Sequence, residues 1–135
     1  MPAPWLHLAT SLVLWRAADW LAGPAAGRIA AMVWMTLPSI ALGSFVISTD
    51  TPLLLCWSAG VLALVGVLTG RLRERGGMVL AGGAFGAAML AKYAAIYGLA
   101  GLALFVLATS ILSRSKDRQK VIGWRGLGLF ALGMV

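Results

Sequence analysis

Between Asp50 and Arg71 the chain runs through TPLLLCWSAGVLALVGVLTG without one charged residue. Wound as a helix, the stretch from 52 to 70 is about 30 Å long, the thickness of a bilayer's hydrocarbon core. A soluble domain could bury one such helix, but this one has company. Further apolar segments cover about 4–22, 28–47, 77–112 and 122–135. In all, 61% of the chain is hydrophobic and 11% charged, where a soluble domain has about half and about a quarter. The sequence therefore predicts an all-α, polytopic transmembrane helical bundle of about five to six apolar helices. Residues 1–135 form one transmembrane region on this reading.

Four breaks separate the segments: WRAADWLAGPAAGR (Trp15 to Arg28), STDTP (Ser48 to Pro52), GRLRERGG (Gly70 to Gly77) and SRSKDRQK (Ser113 to Lys120). The 28–47 segment has the length of one crossing helix. Before the third apolar segment, Thr51 fits an N-cap, and Pro52 stands where a first-turn proline is tolerated. The 77–112 segment, at about 54 Å as a helix, is too long for one crossing. It holds a single charge, Lys92, so two helices meeting near Lys92 and Tyr93 are expected.

The net charge of +7 and pI near 10.9 raise the possibility of nucleic acid. No basic face interleaved with aromatics supports it, and a membrane protein gathers Lys and Arg in its cytoplasmic loops. With Arg71, Arg73 and Arg75 placed in the cytoplasm, strict alternation also puts Arg16, Arg28 and the 114–125 cluster inside. Of eleven basic residues only Lys92 is then outside. Asp50 lies on that same outer side. Six tryptophans, mostly near segment ends, fit interfacial anchors.

Two readings of Asp50 and Lys92 are open from the residues alone. Asp50 is a solvated carboxylate at a helix N-terminus, where negative charge is favourable, and Lys92 snorkels toward headgroups. Alternatively the two charges, costly at membrane depth, form a site. Ala81 to Gly101 is dense in Gly and Ala, with Gly82 and Gly86 in GxxxG spacing. Small residues let helices approach closely, so this segment is expected to pack against other helices. No strand precedes the glycines and no GK[ST] follows, so they are no phosphate loop. Cys56 reads as a small buried hydrophobe. His7 stands alone, and an interfacial or packed histidine is expected rather than a ligand. No metal-ligand spacing occurs. The N-terminus lacks the basic start of a secretory signal.

The order of these motifs resembles the membrane glycosyltransferases of family 39, the protein mannosyltransferase-like, lipid A aminoarabinose transferase-like and Rgt-like enzymes. The family's (T/S)-x-D-x-P-L-L turn is matched in STDTPLL around Thr49 to Leu54. Its G-x-x-x-G-x-x-x-L-(S/T/A)-K-Y segment is matched at Gly82 to Tyr93, and WRAADWLAGPAAGRIAAMVW is similar to its helix–FGP–helix passage. The resemblance runs from about Leu12 to Leu112. It implies a GT-C type bundle in a bacterial-type inner (plasma) membrane. Its implied activity is transfer of a sugar from a polyprenyl-phosphate donor to a protein, lipid or glycan acceptor at the extracytoplasmic face. Asp50 then matches the family's second acidic position, a candidate catalytic residue. Lys92 and Tyr93 match its K-Y pair, candidates for binding the donor phosphate. A divalent metal is possible, with no ligand assigned.

The resemblance places the family's principal acidic motif before residue 1 and its later helices after Val135. An internal piece of a longer enzyme is expected, whose partners are membrane lipid, the lipid-linked sugar and the rest of the same protein. The rival expectation is a non-enzymatic multi-span protein, a transporter half or an assembly subunit.

Overall fold

The computed structural model describes residues 3–43, 45, 48–97, 99–101, 103–104, 130 and 132–133. All regular structure among them is helical: α1 (Ala3–Ala22), α2 (Pro24–Thr36), α3 (Pro38–Gly43), α4 (Asp50–Leu68), α5 (Glu74–Ala91) and a 3-10 turn at Tyr93–Ala95. The 114–125 basic cluster and most of the 122–135 segment lie outside the described residues.

The breaks are narrower than the sequence suggests. α1 runs through the whole of WRAADWLA, because Arg16 and Asp19 face each other one turn apart at 3.7 Å on its surface. The chain turns at Gly23 alone, whose φ of 90° is costly for any residue with a Cβ. Pro24 then opens α2, where a missing N–H costs nothing. Trp15 lies against Gly27, at a distance that leaves no room for a side chain there.

The expected single helix over 28–47 is corrected to two. Pro38 cannot continue α2 and forces Leu37 out of the helical region, to φ −63° and ψ 124°. α2 is therefore about 20 Å long, too short to cross a bilayer. Thr51 is also not the N-cap. The N-cap is Thr49, two residues earlier, and Thr51 is a buried residue of the first turn of α4. Among the described residues α4 alone is long and apolar enough to cross a membrane. α1 has the length, but its polar side chains lower its hydropathy. The expected break at Lys92 does occur: α5 stops at Ala91 and Lys92 is extended, with φ −163° and ψ 133°.

α4 and α5 form a hairpin, and α1 packs on both α2 and α4. The hairpin core is Ala63, Leu64, Met78, Ala81 and Phe85, with Phe130 packed against it. The Phe85 ring covers Gly60 so closely that a Cβ there would be 2.7 Å from it. Gly82 and Gly133 face each other's helices backbone to backbone. The small-residue segment is thus packed against other helices, as its composition predicts. A smaller cluster, Leu53, Ala88 and Ala95, closes the opposite end of the hairpin.

α1 inverts the soluble pattern. His7, Thr10 and Ser11 are buried, while Trp5, Leu8, Leu12 and Trp15 face outward. The buried hydroxyls are satisfied by backbone: Thr10 donates to Leu6 O and Ser11 to Ala31 O of α2.

Candidate functional site

α4 starts and α5 stops at one end of the hairpin, and this brings Asp50 and Lys92 together across 42 residues of sequence. Lys92 Nζ donates to Asp50 Oδ1 at 2.6 Å. The extended backbone at Lys92 carries its side chain off the α5 axis toward α4. Ser48, which sequence reasoning passed over, holds the carboxylate from its other side. Its hydroxyl donates to Asp50 Oδ2 at 3.1 Å and accepts from the Asp50 N–H, also at 3.1 Å. The S-x-D spacing that makes such a local turn is visible in the sequence. Both carboxylate oxygens are therefore engaged, one by a cation and one by a hydroxyl.

The pair is not a buried strut. Both side chains are about half exposed, and an ion pair in that position contributes little to fold stability. Its two halves can exchange partners with a ligand without collapsing the bundle. Tyr93, the other half of the K-Y pair, points away and is 87% exposed. It does not join Asp50 and Lys92.

Beneath Asp50 lies a cleft of about 370 Å³ lined by His7, Ser39, Gly43, Ser48, Thr51 and Leu54 among others. His7 reaches it from α1. It is packed, as expected, at 4% exposure, yet it stands on the wall of the same cleft as Asp50. Among the described residues no group of three or more His, Cys, Asp or Glu side chains comes together as metal ligands.

The other end of the hairpin is built differently. Gly70 turns at φ 71°, and the Leu72 N–H donates to Gly66 O at 2.8 Å. Arg71 and Arg16 both stack on Trp20, at 5.8 and 5.3 Å from its ring centre. The geometry thus places Arg16 beside Arg71, on one side of the bundle, and Asp50 with Lys92 on the other.

Comparison with known proteins bears on what this arrangement does. The sequence model of the family described as Dolichyl-phosphate-mannose-protein mannosyltransferase matches residues 2–135. A curated relative, the lipid A galacturonosyltransferase RgtD of Rhizobium johnstonii, is 36% identical over 104 residues, which is 77% of this chain. The chain spans 22% of that relative's length. No solved structure matches the chain.

Proposed function

Since the chain belongs to the dolichyl-phosphate-mannose-protein mannosyltransferase family, we propose that it is the acidic-and-basic rim of a membrane glycosyltransferase site. On this reading it is one part of a longer integral-membrane, multi-pass enzyme of GT-C type. The enzyme moves a sugar from a polyprenyl-phosphate donor to a protein, lipid or glycan acceptor at the extracytoplasmic face. The observation that carries the proposal is the 2.6 Å contact between Lys92 and Asp50. It joins the two residues that the family motifs single out, at the end of the hairpin opposite its arginines.

The chemistry follows from what each group can do. The bond between the anomeric carbon and the donor phosphate breaks, and its electron pair leaves with the phosphate. A bond forms from the acceptor oxygen to the anomeric carbon on the opposite face. The Lys92 ammonium meets the charge that grows on the leaving phosphate, the kind of stabilisation worth most where water is scarce. Asp50, released from Lys92 as the phosphate takes its place, orients the acceptor hydroxyl. That hydroxyl must also lose its proton to a base, a role left to the rest of the longer enzyme. Arg71, Arg73 and Arg75 hold the opposite loop in the cytoplasm.

A membrane setting is supported by α4 and by the surface. Trp5, Leu21, Leu42, Phe45 and Leu90 are all more than 60% exposed, apolar surface that lipid would cover. The inward polar face of α1 points the same way.

The test replaces Asp50 by Asn and Lys92 by Met in the full-length enzyme. Each substitution keeps side-chain size and removes charge. Sugar transfer is expected to fall by about 10²–10³-fold for Lys92→Met, with normal amounts of protein in the membrane. Unchanged transfer in both variants removes the site assignment.

A further inference from the structure

The reaction just described gives no task to His7. Its side chain is 4% exposed, and neither Nδ1 nor Nε2 has a hydrogen-bond partner among the described residues. Buried polar atoms are nearly always paired, so an imidazole with two unpaired nitrogens calls for a reason. The ring lies on the wall of the cleft that Ser39, Ser48 and Asp50 also line. Gly43 lies beside the ring on the same wall. A Cβ at Gly43 would stand 3.5 Å from Nε2, so a longer side chain there would fill the space before the ring. Trp34 backs the imidazole from another side, its ring centre 6.3 Å away and tilted by 46°.

We propose that His7 is a ligand-binding residue, whose imidazole hydrogen-bonds a hydroxyl of a sugar ring seated in the cleft beside Asp50. An imidazole presents a donor and an acceptor, or two donors, and a hydroxyl pairs with any of these. Ser39 and Ser48 add hydroxyls to the same wall, while Ile40, Leu53 and Leu54 supply apolar surface for the carbon face of a ring. At about 370 Å³ the cleft is at the small end of ligand sites, suited to one ring rather than an oligosaccharide. A phosphate has a better partner in Lys92, which stands at the rim and not on this wall. That the ligand is a sugar rests on the glycosyltransferase reading; that His7 lies on the cleft wall with both ring nitrogens unpaired does not.

His7 is the single histidine of the chain, so selective ¹⁵N-histidine labelling yields one imidazole to watch. The labelled chain in detergent micelles is titrated with methyl galactoside, which has hydroxyls and no charge, and separately with dodecyl phosphate, which has a phosphate and no sugar. The galactoside is expected to shift the His7 ring nitrogens saturably, and dodecyl phosphate to leave them in place. Gly43→Leu should abolish the galactoside shift. His7→Phe gives up no hydrogen bond of the fold, so it should melt no lower than the unsubstituted chain. It should bind the galactoside about tenfold more weakly, the ordinary worth of one hydrogen bond shielded from water.

A silent imidazole overturns the proposal, as does a shift that survives Gly43→Leu or one produced equally by dodecyl phosphate. His7→Phe that melts lower yet binds galactoside normally shows a packing role instead, and also overturns it. The two readings fail separately. Lost transfer in the Asp50 and Lys92 variants with a silent His7 removes only this subsite. A galactoside shift alongside unimpaired transfer removes only the assignment of Asp50 and Lys92.

Discussion

The two ends of the α4–α5 hairpin use charge in opposite ways. At the Arg71 end several cations gather, Arg16 lies 3.7 Å from Asp19, and Arg71 and Arg16 lie over the Trp20 ring. Leu72 and Trp20 there close tightly over Gly66. At the Asp50 end one acid meets one base, the backbone is broken on both strands of the hairpin, and a cleft opens beneath the pair. A surface cation needs no partner beyond water, headgroups or an aromatic face. A cation held at 2.6 Å from a carboxylate, yet half exposed, has been positioned. The ends differ in how closely acid and base are held, 2.6 Å against 3.7 Å, and in the cleft that opens beside Asp50.

Four expected outcomes break or sharpen this contrast. The largest expected effect is all or none. In a chain with Cys56→Ser, single cysteines at positions 50 and 92 should react with a membrane-impermeant thiol reagent from outside, and those at 73 and 116 only after permeabilisation. Labels at 50 and 92 from opposite faces would remove the shared site.

Next in size is activity. Asp50→Asn and Lys92→Met should lower sugar transfer by orders of magnitude, whereas Arg73→Gln, the same loss of one charge at the other end, should keep it within about twofold. Equal losses at both ends would erase the distinction between a site and a topology signal.

Packing gives a smaller contrast. A Cβ at Gly66 would come within 2.7 Å of Leu72 and 3.0 Å of Trp20, whereas one at Gly43 meets, among the described residues, only His7 at 3.5 Å. Gly66→Val should therefore destabilise the bundle by about 1–3 kcal/mol. Gly43→Ala should stay within about 0.5 kcal/mol. Thermal unfolding followed by tryptophan fluorescence distinguishes them. The smallest effect is Arg71→Gln, which gives up one cation–π contact worth about 0.5–1 kcal/mol, and should be visible only in the same unfolding measurement.

How much of this could be read in the sequence differs from residue to residue. Alternation of apolar segments, together with the positions of the arginines, is enough to place Asp50 and Lys92 on one side. Their direct contact is not, because it depends on where α5 ends and on the extended conformation of Lys92. The break at Lys92 was legible from the length of the apolar segment. The break at Pro38 was equally written in MTLPSI, but the apolar continuity of 28–47 hides it unless the proline is given priority. The helical run through Arg16 and Asp19 was obscured in the opposite way. Two charges three residues apart resemble a loop in composition, yet on a helix they are neighbours.

Ser48 carries a readable local signal, its spacing to Asp50. His7 carries none. A lone histidine in an apolar segment is packed far more often than it is functional, and it is indeed packed. Only the arrival of α1 beside the start of α4, with Gly43 opposite the ring, turns that packed residue into the wall of a cleft.

The sequence by itself determines that this chain is helical, too apolar for an ordinary soluble domain, and polarised, because helix period, segment length and charge placement are local properties of consecutive residues. The tertiary structure alone decides that Asp50 and Lys92 touch, that His7 stands on the wall of the cleft beside Asp50, and that Tyr93 does not join them. Hydrogen bonds and clefts depend on ångström distances between segments far apart in the chain, and the packing of α1 against α4 and of α4 against α5 sets those distances.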